Sequence, residues 1–418
     1  MDLPFDERPF DNTAFERVVA EVRSLSEAFI DAGYRVYLVG GIVRDLIAGR
    51  QRSAPDIDLT TDATPEEIER VLAGRTDALW KQGARFGTIG CRVGERVFEI
   101  TTHRSEAYLS ESRKPIVTFS RRVEDDLSRR DFTVNAMAVS LPDGELIDPF
   151  QGQRDLAARI LRTPLAPAVS LSDDPLRMLR AARFVAGYAL VPEADTEAAI
   201  GELRDRLAIV SRERIRDELD KLLSVADPTP GFVLLRRTAL LGEFIPELAV
   251  VDDASLELVR DVDGLDRRRA AVFLPIADRS VAIARARALK YSANESDNIG
   301  AVLKTVDSLG RLGRADPPAV RRLVRAAGPA LDDAIALAKA MNETRATAVS
   351  DVLEQLRDRE DLGALEPELD GDEVQRLLGI GEGRDVGAAL AFLLELRLDE
   401  GVVGPDEARR RLLEWWNR

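Results

Sequence analysis

Cysteine occurs once in the 418 residues, as Cys91, and histidine once, as His103. A single thiol excludes an internal disulfide and suits a reducing compartment. A single imidazole all but excludes a histidine-built zinc site or a histidine-dependent catalytic cluster, so a bound metal is expected on oxygen ligands. Lysine is scarce too, six residues against 53 arginines. No apolar run approaches the ~20 residues of a membrane span. The acidic start Met1-Asp2-Leu3-Pro4-Phe5-Asp6 lacks a signal-peptide core. The expected location is the cytoplasm.

What is present is an ordinary globular composition, 45% hydrophobic, in a chain long enough for roughly two to four compact units. A net charge of −15 argues at face value against nucleic acid. Binding needs only a local basic surface, however, so the sum is no veto.

The most informative stretch is Leu38–Thr60, LVGGIVRDLIAGRQRSAPDIDLT. Val36-Tyr37-Leu38-Val39 reads as a buried strand. It runs into Gly40-Gly41, where absent side chains let backbone N–H groups approach a bound group. A helix is expected after the glycines, with Arg44 one turn in as a planar charge for phosphate. Asp56-Ile57-Asp58 then puts two carboxylates on one strand face. Neighbouring carboxylates repel unless a cation sits between them, and Mg²⁺ prefers few protein oxygens, with water and phosphates completing its shell. Taken singly, the glycines fit a plain turn and the Asp pair a solvated strand end.

Around this stretch, residues 12–32 carry Phe15, Val18, Val19, Val22, Leu25 and Phe29 at helical spacing. Thr64-Pro65-Glu66-Glu67 opens a helix with a capping Thr and Pro at its first position. Thr88–Val93 and Arg96–Thr101 form a predicted hairpin about Gly94-Glu95. Glu99 falls on the face of Val97 and Thr101, where it is either a solvated edge residue or a third metal ligand. Arg104–Phe119, containing Arg113-Lys114-Pro115, reads as a polar, mobile connection.

Two further runs are rich in chemistry. Arg129-Arg130-Asp131-Phe132-Thr133-Val134-Asn135-Ala136 offers paired Arg hydrogen bonds to phosphate and Asp and Asn to hydroxyls, or else a capped helix start. In Asp173-Asp174-Pro175-Leu176-Arg177-Met178-Leu179-Arg180-Ala181-Ala182-Arg183-Phe184, Pro175 starts a helix capped by Asp174. Arg177, Arg180 and Arg183 recur every three residues and are expected along one face. The run fits a basic amphipathic helix on RNA backbone. It also fits a base reader, since Asp accepts from an exocyclic amine and Arg donates to a ring nitrogen or carbonyl. Cytosine and adenine share that pattern, whereas uracil and guanine do not.

Together these runs resemble the class II tRNA nucleotidyltransferases (CCA-adding enzymes) and bacterial poly(A) polymerases, within the DNA polymerase beta-like superfamily. Gln82–Ile89, with Gly83-Ala84-Arg85-Phe86-Gly87-Thr88, is similar to a stretch of the CCA-adding branch. Ile147-Asp148-Pro149-Phe150 and Gly152 are similar to the end of the catalytic head, and Ser211–Leu219 to the helix after the base-reading motif. The resemblance implies an α+β fold, a mixed-sheet nucleotidyltransferase head (12–160) followed by an all-α neck (161–228), body (229–330) and tail (331–418). It implies template-independent addition of CCA to the tRNA 3′ end from CTP and ATP, releasing pyrophosphate, with the tRNA as partner through its 3′ end and acceptor stem.

The implied roles follow the motifs. Asp56, Asp58 and Glu99 hold Mg²⁺. Gly40, Gly41 and Arg44 grip phosphates, and Arg130, Asp131 and Asn135 contact sugar and phosphates. Asp174 and Arg177 read the base, supported by Arg180 and Arg183. Many members have Glu where Asp173 stands. The family's flexible loop, full length at Arg104–Phe119, favours complete CCA addition. A body resembling a His-Asp phosphohydrolase domain lacks histidine, which implies a scaffold; the tail is implied to hold the tRNA elbow. Poly(A) addition, CC- or A-only addition, and a non-catalytic RNA-binding scaffold stay as alternatives.

Overall fold

A computed structural model describes residues 11–50, 57–81, 83–109, 112–250 and 256–418. The chain divides into two compact units, Met1–Ala249 and Val250–Arg418. Asp56 and Gln82 lie outside the described residues.

In the first unit, Phe15, Val18, Val22, Leu25 and Phe29 line the buried side of α1 (Asn12–Asp31), as their spacing predicts. β1 (Val36–Val39) is buried throughout and leads into α2 (Gly41–Ile47), then β2 (Ile57–Thr61). α3 (Pro65–Leu72) begins where its local chemistry dictates. Thr64 Oγ1 accepts from the Glu67 amide at 3.3 Å, and Glu67 accepts from the Thr64 amide at 2.8 Å. β3 (Ala78–Trp80) precedes the expected hairpin, β4 (Thr88–Val93) and β5 (Arg96–Thr102), which turns at Gly94 with φ 60°.

The segment read as a mobile connection is instead a two-stranded hairpin, β6 (Arg104–Leu109) with β7 (Ser112–Phe119), Arg104 registering with Phe119. Its backbone satisfies itself across the pair, so polar composition did not preclude strands. α4 (Val123–Ser128), β8 (Ala138–Ser140) and β9 (Leu146–Ile147) follow. They complete a seven-stranded sheet in the order β3-β4-β5-β2-β1-β8-β9, in which β2 and β5 are parallel.

The two faces of this sheet differ. Leu38, Ile57, Leu59, Cys91, Phe98 and Ile100 face α1 and α3 and form the core; burial pushes the Cys91 thiol up to about 11. On the opposite face, Tyr37 and Val39 are covered by Val123 and Leu127 of α4 and by Ala136 and Ala138. Farther across that face, Val97 is 55% exposed and Glu99 is exposed. Helices complete the unit: α5 (Gly152–Ala158), α6 (Pro167–Asp173), α7 (Leu176–Tyr188), α8 (Ala194–Leu203), α9 (Arg212–Leu223) and α10 (Thr229–Arg237). α10 packs on α7, so residues 229–249 belong to this unit.

The second unit is helical: α11 (Leu265–Phe273), α12 (Arg279–Ala288), α13 (Ala293–Arg311), α14 (Pro317–Ala327), α15 (Leu331–Ala340) and α16 (Thr344–Arg357). α13 starts at a Ser292–Glu295 capping box and packs against α11, α12 and α15. α17 (Gly371–Leu378), α18 (Arg384–Glu400) and α19 (Pro405–Trp416) close a smaller core around Leu369, Val374, Leu393 and Leu412. Trp415 stacks on Phe392 with centroids 5.0 Å apart. Among the described residues, no helix is long and apolar enough to cross a membrane.

Candidate active site

Sheet register brings the acidic residues together. Val39 on β1 pairs with Asp58 on β2, and Asp58 pairs with Glu99 on β5. Registered neighbours on adjacent strands lie roughly 4.8 Å apart with side chains on one face. Asp58 is half-buried and Glu99 exposed. Among the described residues no third His, Cys, Asp or Glu completes a metal cluster with them.

Beside this acidic pair the chain turns at Gly40, which has a φ of 74° and caps α2. A Cβ built there would stand 2.9 Å from Arg130 Nη1 and 3.7 Å from Asp58 Oδ2. The left-handed backbone is what favours glycine here, since a Cβ would press only on the movable end of the Arg130 side chain. Gly40 thus lies between a guanidinium and a carboxylate. Arg130 reaches this point from beyond α4, where its Nη2 donates to Asp126 at 3.1 Å. Asp126 also accepts from Arg129, at 2.9 Å from Nε and 2.6 Å from Nη2. Burial pushes the Asp126 carboxyl up, but the two guanidiniums outweigh it and hold it below the usual range.

Arg44 is 4% exposed. Its Nη1 donates to Asn135 Oδ1 at 2.6 Å, and Nε and Nη2 donate to Asp45 Oδ1 at 3.0 and 2.9 Å. Its guanidinium also donates to Tyr188 Oη and lies 4.1 Å from that ring's centroid. In this arrangement the group ties α2 to the end of α7, and its donors face protein, not an open phosphate site. Asp131 and Asn135 are likewise engaged. Asp131 accepts from the Phe132 amide at 2.8 Å, from Asn135 Nδ2 at 2.9 Å and from Arg180 Nε at 2.8 Å. Burial raises its pKa, but the Arg180 charge and the Asn135 hydrogen bond together hold it far below an ordinary carboxylate.

The three arginines of α7 do not share a face. At 100° per residue, a three-residue step falls 60° short of a full turn, so Arg183 lies about 120° from Arg177. Arg177, Arg180, Phe184 and Tyr188 face the head, while Arg183 turns to α9 and donates to buried Glu218. Arg177 is itself buried, its Nη1 bound to Ser170 Oγ at 2.7 Å and its Nη2 to the Arg129 carbonyl. Asp174 caps the helix start, accepting from the Leu176 amide at 3.2 Å; its other oxygen accepts from Arg214 of α9 at 3.0 Å. Asp174 and Arg177, expected to read a base together, each have their own protein partners here.

Comparison with known proteins decides the family. Residues 36–162 match the Poly A polymerase head domain, and 190–251 the probable RNA and SrmB-binding site of polymerase A. The CCA-adding enzyme of Geobacillus kaustophilus is 34% identical over 305 residues, 71% of this chain and 72% of that one. The chain belongs to the CCA-adding enzymes. Within them, the Bacillus subtilis enzyme is 38% identical over 231 residues, 54% of this chain and 56% of its own. The solved Bacillus stearothermophilus CCA-adding enzyme in complex with CTP is 26% identical, with a TM-score of 0.79 over 97% of this chain and 98% of that one. The Thermotoga maritima CCA-adding enzyme complexed with tRNA, 22% identical, shares the fold at a TM-score of 0.71 over 97% and 98%.

In this CCA-adding enzyme, sequence reasoning overlooked Asp45, Asp126, Ser170, Tyr188, Arg214 and Glu218. Asp126 carried a signal, standing three and four residues before Arg129 and Arg130. Tyr188 meets Arg44 across 144 positions, a pairing that no local pattern announces.

Proposed function

We propose that this CCA-adding nucleotidyltransferase joins CTP and ATP to the tRNA 3′ end at the Asp58–Glu99 pair, with Asp56 as a third carboxylate on sequence grounds. The carrying observation is the register of Asp58 with Glu99, facing Arg130 across Gly40. The Asp58 and Glu99 donors fit a hard cation, because both are carboxylate oxygens and sit side by side on an uncovered face. When bound, Mg²⁺ lowers the pKa of the attacking hydroxyl and offsets charge growing on the pyrophosphate. The 3′-hydroxyl loses its proton to water as its oxygen bonds the α-phosphorus, and the α–β anhydride bond breaks to release pyrophosphate.

This chain's own residues set the geometry. Gly40, Gly41 and Arg130 line the place for the triphosphate, since bare backbone and one charge are what three phosphates need. Arg44, Asn135, Asp131 and Arg180 form a continuous hydrogen-bonded chain from α2 to α7. That chain fixes the distance between the phosphate end and the base end of the pocket. Asp174, the carboxylate at the head of α7, accepts from the exocyclic amine of C or A. Arg177 is held by Ser170 and the Arg129 carbonyl beside the head of α7, and Arg183 acts through Glu218.

The test supplies a tRNA lacking its CCA end with each nucleotide singly and together. CTP alone should add two residues, and ATP should follow only then. A long tail from ATP alone would point to poly(A) synthesis, and termination after two residues with both present to CC addition.

A further inference from the structure

We infer that Trp80, with Arg92 and Val97, forms the surface that receives the single-stranded 3′ end of the RNA being extended. This rests on the Asp58–Glu99 pair being the reaction site. A single row crosses the sheet: Trp80 registers with Gly90, Gly90 with Glu99, and Glu99 with Asp58. Registered residues share a face, so Trp80 stands on the carboxylates' side. Its neighbour Leu79 packs into the core on the other.

Gly90 makes this placement possible. A Cβ there would lie 2.0 Å from Trp80 Nε1 and 2.2 Å from Cε2, so the indole lies over the Gly90 backbone, beside Glu99. Any larger residue would displace the ring. In the next row Arg92 registers with Val97; Arg92 is exposed and Val97 is 55% exposed. Beyond Glu99 the uncovered sheet face thus presents a ring, a cation and an apolar patch side by side. These are the components of a single-strand surface, on which bases stack and a phosphate is neutralised.

The direction of attack assigns the occupant. Phosphoryl displacement is in line, so the entering hydroxyl and the leaving pyrophosphate lie on opposite sides of the phosphorus. Gly40 and Arg130 place the pyrophosphate on the β1 side of the carboxylates. The hydroxyl then enters from the side of β5, β4 and β3, where Trp80 stands. The terminal base is the tRNA's own at the first addition and cytosine at the next two, so the contact must tolerate more than one base. Stacking does so, because every base has a π-face.

The test compares Trp80→Ala, Trp80→Phe and the unaltered protein. Trp80→Ala should raise KM for a tRNA lacking CCA about tenfold, with KM for CTP unchanged, and Trp80→Phe should restore most of the loss. In a Trp415→Phe, Trp416→Phe protein, where Trp80 is the one remaining tryptophan, that tRNA should quench its emission. Adding Asp58→Ala should abolish turnover yet keep the quench. Full turnover by Asp58→Ala would overturn the reaction site, and this inference with it. An unchanged KM for tRNA, an equal rise in KM for CTP, or no quench would overturn the Trp80 assignment alone. If Trp80→Ala does not fold, the quench measured on Trp80 itself decides.

Discussion

Each unit contains a buried arginine–carboxylate cluster, and the two serve different ends. In the first, Arg44, Asn135, Asp131 and Arg180 run from α2 to α7. In the second, Glu360 accepts from Arg321 at 2.9 Å and from Arg397, and Arg321 also binds the Leu398 carbonyl at 3.1 Å. Burial pushes the Glu360 carboxyl up, but its two arginines hold it below the ordinary range, as Arg180 does for Asp131. Buried paired charge is therefore no mark of a site in this molecule. The first cluster differs in its neighbours: a glycine between Arg130 and Asp58, and two carboxylates on an uncovered sheet face.

The strongest way to break this comparison is to remove a carboxylate from the open sheet face. Asp58→Ala should lower nucleotide addition about a thousandfold or more, the loss of several kcal/mol of charge stabilisation, while thermal unfolding stays close to the unaltered protein. Single-turnover incorporation on truncated tRNA measures it, and undiminished incorporation would move the reaction elsewhere. Glu360→Gln should do the reverse. It leaves two buried guanidiniums without their shared anion, a change worth about 3–5 kcal/mol of stability. Urea unfolding should register that loss, with the preference for CTP and ATP over UTP and GTP unchanged.

These contrasts also show what the sequence could reveal. The start of α3, the β4–β5 hairpin and the shared face of Val97, Glu99 and Thr101 were legible because their causes lie within a few residues. The split of Arg177 from Arg183 was legible in principle, since three-residue spacing drifts around a helix. The β6–β7 hairpin was obscured by its polar composition. Partners such as Arg44 with Tyr188, or Asp174 with Arg214, follow from how α2, α7 and α9 pack. Local propensity holds no record of that.

A smaller effect should sharpen the distinction between holding and reading. Asp174→Ala removes the acceptor at the head of α7 and leaves Arg214 half-exposed, where it can solvate. The discrimination between CTP and UTP should fall about tenfold, the worth of a single specific hydrogen bond left unmade, before all turnover is lost. Competition between the two nucleotides on one primer measures it; unchanged selectivity would reduce Asp174 to a helix cap.

The gentlest probe is pH, and it too should separate the units. His103 is fully buried beside Tyr37, with ring centroids 5.5 Å apart. Burial lowers its pKa; Asp126 of α4 and Asp62 oppose that shift, and Arg35 adds to it. The unfolded chain takes up the imidazole proton near pH 6.5, whereas the folded chain resists until a lower pH. Over that interval the unfolded state binds more protons, so stability rises with pH. It is complete above about 6.5 and declines as pH falls, by at most about 1.4 kcal/mol per unit. The depressed carboxyls Asp126, Asp131 and Glu360 lose their contribution only as pH falls below the ordinary carboxylate range, around pH 4. The second unit has no histidine. Between pH 7.5 and 5.5, urea unfolding should therefore show a decline that His103→Phe abolishes, and hydrogen exchange should confine it to the first unit. An equal decline in both units, or one that survives His103→Phe, would assign the titration to other groups.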